Sequence, residues 1–453
     1  MRFGPPVVLA LSTACALAQG PPHNGPRPVD PGWFALQNAR VVTEPGRTLE
    51  RATIVVRDGR IVAVGADASV PRGATAIDCA GLTVYPGLVE PFYPSDVPAL
   101  DEQTTDQHWN PMVQPHRNAL DGALVAEKDR EALRALGFAA AAAAPSGGIL
   151  KGTSAVVLLD EPSETDDPRV VNRAAYALAS LQTNRGGYPN SEMGAIALLR
   201  QSLLDGRWYE RCERAVAADP ALAADAPQPS RVLAAIAAQR SMPLWFDTDN
   251  ELQALRALAV AAEFERAPVL VGSGMEFRRL AALAAAKAPI VVPLHLPDAP
   301  DVSTAEAADR VSLRQLQSWE QAPTNSKRLL DAGVTVAWTT ARLRSRKDFP
   351  ARVRDAIAHG VTFEQALAAV TTVPARLCGV DGLVGTIAPG RFANLVVVDG
   401  ELFAEDATIR DVWVGGVRHV VNPAPVAGLD GTWAWTTGWP GEGVPTLTTA
   451  RAK

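Results

Sequence analysis

Short apolar runs alternate with Ala- and Leu-rich stretches through the middle of the chain, and this alternation restricts the fold more than any other feature. The apolar runs are SAVVLL (154–159), PLWF (243–246), APVLVGSG (267–274), APIVVPLHL (288–296) and VTVAW (334–338). The stretches between them include ELQALRALAVAAEF and FRRLAALAAAKA, whose apolar residues recur every three or four positions, the period of one helix face. Strands separated by helices pair in parallel rather than as hairpins. The number of such units favours an α/β fold with a TIM-like (β/α)8 barrel over residues 86–384, and a doubly wound open sheet is the alternative.

Both ends of the chain change period. FALQNARVV and ATIVVRDGRIVAVG alternate apolar and polar residues, and Asp58-Gly59 between two such runs is a hairpin signal, because a tight turn demands positive φ. GTIAPGRFANLVVVDG and IRDVWVGGVRHVVN restore the same character after residue 384. Residues 33–85 and 385–425 are therefore expected to complete one small composite β-sandwich, with the barrel inserted between its halves. Residues 426–453 form a Pro-, Gly-, Thr- and Trp-rich tail in which GTWAW reads as a peripheral strand.

The first residues place Arg2 before an apolar run from Val7 to Ala18, ending in the small-residue triplet ALA. This reads as a signal peptide over 1–18 followed by a Pro/Gly-rich linker over 19–32, and so as an exported, periplasmic or extracellular protein. Lipid attachment through Cys15 is the alternative. The run is too short to span a bilayer. Cys79, Cys212 and Cys378 then remain, without CxxC pairing, so at most one disulfide is open to them. A net charge of −6 with scattered Lys and Arg argues against nucleic acid as a partner.

NARVV, ATIVVRDGRIVAVG and AIDCAGLTVYPGLVEP near the start, with TFEQALAAVTTVPARLCGVDGLVGTIAPGRFANLVVVDG near the end, resemble the amidohydrolase superfamily, specifically its imidazolonepropionase-like branch. The resemblance spans roughly residues 33–425. It implies hydrolysis of C–N bonds in amides or cyclic amides, with one or two divalent metals such as zinc at the C-terminal mouth of the barrel. There a metal polarises the carbonyl and acidifies a bound water. Imidazoles and carboxylates must hold it.

Against that pattern the stretch VYPGLVEPFYPSDV departs at once. The family's first barrel strand ends in His-x-His, and those positions fall here on Phe92 and Pro94, although Glu90 keeps an acidic place before them. A later His position falls on Asp247, the next on Gly272 or Ser273, and the catalytic Asp position on Ala341. No metal cofactor is therefore expected. The chain reads as an impaired or non-catalytic relative. A working C–N hydrolase with a rebuilt site is one alternative, and a silent partner of an active relative is another.

Candidates for a rebuilt site come from strand ends and polar loops. Asp247 and His295 are the candidate catalytic pair, and Glu90, His116, Lys151 and Asp249 are candidate binding groups for a small amide-like ligand. Asp247-x-Asp249 spacing puts both carboxylates on one side of a strand. DTDN equally reads as a cap for a helix beginning near Glu251, through Asp249 or Asn250. Lys151 sits among Gly147, Gly148 and Gly152, where exposed N–H groups and an ammonium suit an anion. Of the other histidines, His23 lies in the linker, His108 in the loop that also holds His116, His359 at a helix end and His419 in the C-terminal β segment. A homo-oligomer is the remaining partner expectation.

Overall fold

The N-terminal strands are β1 (Trp33–Glu44), β2 (Arg47–Arg57), β3 (Arg60–Gly65), β4 (Thr75–Asp78) and β5 (Leu82–Pro86). Asp58 and Gly59 take φ of 48° and 77° and close the β2–β3 hairpin with Arg57 opposite Arg60, as the Asp-Gly signal requires. These coordinates come from a computed structural model, which describes residues 32–98, 108–161, 169–423, 431–434 and 446–449. The expected signal peptide, Cys15, nearly all of the linker and most of the tail lie outside the described residues.

The middle of the chain supplies β6 (Leu88–Ser95), β7 (Phe138–Pro145), β8 (Leu150–Thr153), β9 (Ala155–Leu158), β10 (Val170–Asn172), β11 (Ala177–Ser180), β12 (Leu244–Asp247), β13 (Pro268–Val271), β14 (Ile290–Pro293) and β15 (Val336–Thr339). β11 to β15 pair in parallel in chain order, with β8 antiparallel on the β11 side. A second sheet runs β10–β9–β7–β6. Its β9, the SAVVLL run, pairs antiparallel with both β7 and β10 and so is not one of the expected parallel strands. The reason is local. Only nine residues separate the end of β7 from the start of β9, too few for the crossover that a parallel pairing would need.

The C-terminal strands β16 (Leu395–Asp399), β17 (Thr408–Val414) and β18 (Val417–Val420) return to the first sheet, whose order is β18–β17–β16–β5–β1–β2–β3 with β4 beside β1. Strands from both chain ends thus share one sheet. LVVV in β16 lacks alternation because both of its faces are buried. Val396 and Val398 pack into the large core shared with the middle of the chain, while Leu395 and Val397 join Leu36, Ile54 and Trp413 in a smaller core on the other face.

The Pro86-Gly87 corner passes the chain from one body to the other. Pro86 still pairs with Leu395 of β16, whereas Leu88 already pairs with Phe138 of β7. A Cβ on Gly87 would stand 2.6 Å from that of Ala139, so only glycine fits between the layers. All eight residues of β7, FAAAAAAP, are buried. Among the described residues no helix is long and apolar enough to cross a membrane.

Candidate functional site

The opening strand β6 carries Glu90 into the interior, where it is fully buried. Four donors surround its carboxylate: the backbone N–H of Phe92, the hydroxyl of Thr339, and both the N–H and the hydroxyl of Thr340. Burial raises its pKa and these hydrogen bonds oppose the rise. The strand tip therefore serves as a junction. Glu90 ties β6 to the end of β15, where the two sheets meet. Phe92 is buried beside it as apolar packing, and Tyr93, also buried, donates its hydroxyl to Asp129 at 2.6 Å.

Asp247 is the last residue of β12, and its side chain is 20% exposed. Lys151 on β8 places Nζ 2.7 Å from Oδ2, and Arg342 donates through Nη2 to Oδ1. Arg342 follows β15 with a left-handed φ of 66°, which turns its guanidinium back over the strand ends. There Nη1 donates to the carbonyls of Thr248 and Gly272, each at 2.8 Å. Burial raises the Asp247 pKa, but the two cations override it and hold the carboxyl below its usual range. Beneath the cluster Tyr176 stacks on Trp245 with ring centroids 3.8 Å apart, and its hydroxyl donates to the Pro91 carbonyl.

The other expected residues are dispersed. Asp249 is exposed and its oxygen lies 3.9 Å from Arg342, while Asn250 rather than Asp249 caps the helix Glu251–Glu263. His295 lies beyond β14, four residues past Val291. Val291 shares a row with Asp247 through Val271, so His295 sits well off that row, and no hydrogen bond or ion pair joins it to Asp247. His116 is half-buried in its loop beside the buried Arg117. At Gly272-Ser273 the carboxylate of Glu276 folds back to accept from the N–H groups of Ser273 and Gly274 and from Asn325. Cys79, Cys212 and Cys378 are free thiols.

Arg342, Thr339 and Thr340 were absent from the candidates drawn from sequence. The only signal available was position, since they flank Ala341, where the resemblance expects an acid. Among the described residues no group of three or more His, Cys, Asp or Glu side chains could hold a metal ion.

Residues 295–421 match the family model for the amidohydrolase family. That segment of the chain carries the sequence pattern of the amidohydrolase family. It is similar in structure to an amidohydrolase from Thermotoga maritima MSB8, with a TM-score of 0.67 and 20% identity over 85% of this chain and 99% of that one. A second amidohydrolase matches with a TM-score of 0.51 and 17% identity over 86% of this chain and 99% of that one. At such identities these likenesses speak to the amidohydrolase fold alone. No curated protein matches the sequence.

Proposed function

We propose that this chain belongs to the amidohydrolase superfamily, has kept the hydrolase fold but not metal-dependent C–N hydrolysis, and serves as a non-catalytic member. The observation that carries this reading is the double ion pair at Asp247. One carboxylate, already held by an ammonium and a guanidinium, has no free charge for a divalent cation. The residues present do not fit the metal that the family implies. Phe92, Pro94 and Ala341 offer no donor side chain, and a guanidinium over the strand-end carbonyls brings a positive charge where another would have to enter. Two unit charges 4 Å apart repel by about 4 kcal/mol near a protein surface, and a dication doubles the figure.

The same pairing makes Asp247 a poor general base, because two cations stabilise its ionised form and depress its proton affinity. The test is metal content together with turnover. Purified protein dialysed against buffer is expected to hold far less than one zinc, iron or manganese per chain. It is also expected to leave a panel of amides, dipeptides and cyclic amides intact with each metal added. Stoichiometric metal, or hydrolysis abolished by Asp247→Asn or His295→Ala, would overturn the proposal.

A further inference from the structure

A cavity of about 530 Å³ lies between the helix Glu127–Ala135 and β18, an edge strand of the first sheet. Glu127, Arg130, Glu131 and Arg134 recur every three or four positions and so share the helix face that lines it. A helix face packed against a neighbour is apolar, and this one is charged throughout. None of the lining residues belongs to the Asp247 cluster.

Its charges divide into matched and unmatched groups. Arg134 donates to the Leu159 carbonyl at 2.8 Å and to Glu161 at 3.0 Å, and Arg418 pairs with Asp411 at 2.9 Å. Burial, and then the charge of Arg134, lowers the His419 pKa, so that ring adds no charge near neutral pH. Arg130, Glu127 and Glu131 remain, and among the described residues none of their side chains forms a hydrogen bond or ion pair. Arg130 is the deeper group, its Nε shut away from solvent and unmatched, whereas both glutamates are exposed. Glu127 stands in the first helical turn, where the helix dipole favours a carboxylate, but Glu131 lies beyond that support.

We propose that this cavity binds a basic amino acid such as lysine, its carboxylate on Arg130 and its two ammonium groups on Glu131 and Glu127. One unmatched guanidinium below two unmatched carboxylates calls for one anionic and two cationic groups in a single ligand. A guanidinium recognises a carboxylate through paired N–H donors. An inorganic anion or a dicarboxylate would meet Arg130 but be repelled by both glutamates, and a diamine would leave Arg130 unmet. Glu127 and Glu131 stand one helical turn apart, about 5–6 Å between Cβ atoms. The hydrocarbon chain of lysine spans that gap with an ammonium at each end. The volume also falls within the range of about 300–1,000 Å³ usual for small-molecule sites.

The test is calorimetric titration of the full chain with lysine, alongside norleucine (no side-chain ammonium) and cadaverine (no carboxylate). Lysine is expected to bind saturably at one site, at least tenfold tighter than either control. Arg130→Gln is expected to weaken lysine at least tenfold and leave cadaverine no weaker, while Glu131→Gln weakens lysine and cadaverine alike. Ala135→Trp, which fills the cleft without touching its charges, should abolish binding while the thermal midpoint stays close to wild type. Lysine no tighter than norleucine or cadaverine, undiminished binding in Arg130→Gln or Glu131→Gln, or binding that persists in Ala135→Trp would each overturn the assignment.

Discussion

Thr340 donates twice to Glu90, through its backbone N–H at 2.8 Å and its hydroxyl at 2.7 Å, across 250 positions of chain. A carboxylate that could have been a catalytic acid is spent on joining β6 of one sheet to the end of β15 of the other. Each of its oxygens accepts two donors, which leaves neither free for a ligand.

Glu90→Gln should therefore destabilise the protein although the side chains are nearly the same shape. Whichever way the amide turns, its NH2 meets a backbone N–H, of Phe92 or of Thr340, that cannot rotate away. A buried donor left unmatched costs about 1–3 kcal/mol. Urea unfolding should reveal that loss, and hydrogen exchange should show the Thr340 amide deprotected. An unchanged unfolding midpoint would mean that water replaces the carboxylate.

Asp247→Asn is expected to cost about 2–4 kcal/mol near neutral pH, because it strands the buried Lys151 beside a half-buried guanidinium. The pH dependence has a definite sign. Asp247 has a folded pKa below its ordinary 3.8, so its contribution is present above that value and fades as pH falls through the folded pKa. Glu90 runs the other way. Its folded pKa lies above 4.5, so its carboxyl favours the folded state at low pH and loses that advantage as pH rises through the folded value. Subtracting the unfolding free energies of each variant from wild type between pH 3 and 7 should give slopes of opposite sign.

Gly87→Ala tests the corner between the two bodies. The added methyl would meet Ala139 at 2.6 Å and Asn394 at 3.0 Å, and neither side chain can swing aside. Overpacking of this kind costs about 1–3 kcal/mol. Gly382→Ala, with nothing within 4 Å, is the matched control and should stay close to wild type. Equal stability of the two variants in guanidinium would refute the tight-corner account.

Local signals were legible in the sequence, and pairings were not. The Asp58-Gly59 turn and the cap before Glu251 each rest on a few neighbouring residues, whereas the sheet shared by the two chain ends was suggested by the family resemblance and by the return of strand character after residue 384. The direction of SAVVLL was hidden, because a strand buried on both faces gives the same apolar run whether its neighbour runs parallel or antiparallel. Lys151, Asp247 and Arg342 meet across separations of 96 and 95 residues, which no local pattern encodes. Asp247, read from the sequence as standing at an altered ligand position, is the carboxylate of an ion-pair cluster. Its two cations come from elements whose side chains carry no motif.

Those cations make zinc linkage the sharpest test of the mouth. A site with micromolar affinity would stabilise the fold by about 2.7 kcal/mol at 100 times its dissociation constant. The expectation here is no shift in the thermal midpoint with zinc at that excess. Asp247 would have to release Lys151 and Arg342 before it could coordinate, and the freed guanidinium would still repel the incoming dication by about 4 kcal/mol for each of its charges. Replacing Lys151 and Arg342 by Met removes that repulsion but leaves one carboxylate, too few donors for a tetrahedral ion, so the double variant should respond no more than wild type. A midpoint that rises with zinc in wild type and not in Asp247→Asn would locate a metal at the strand ends, and the ion pairs would then be only its empty-site state.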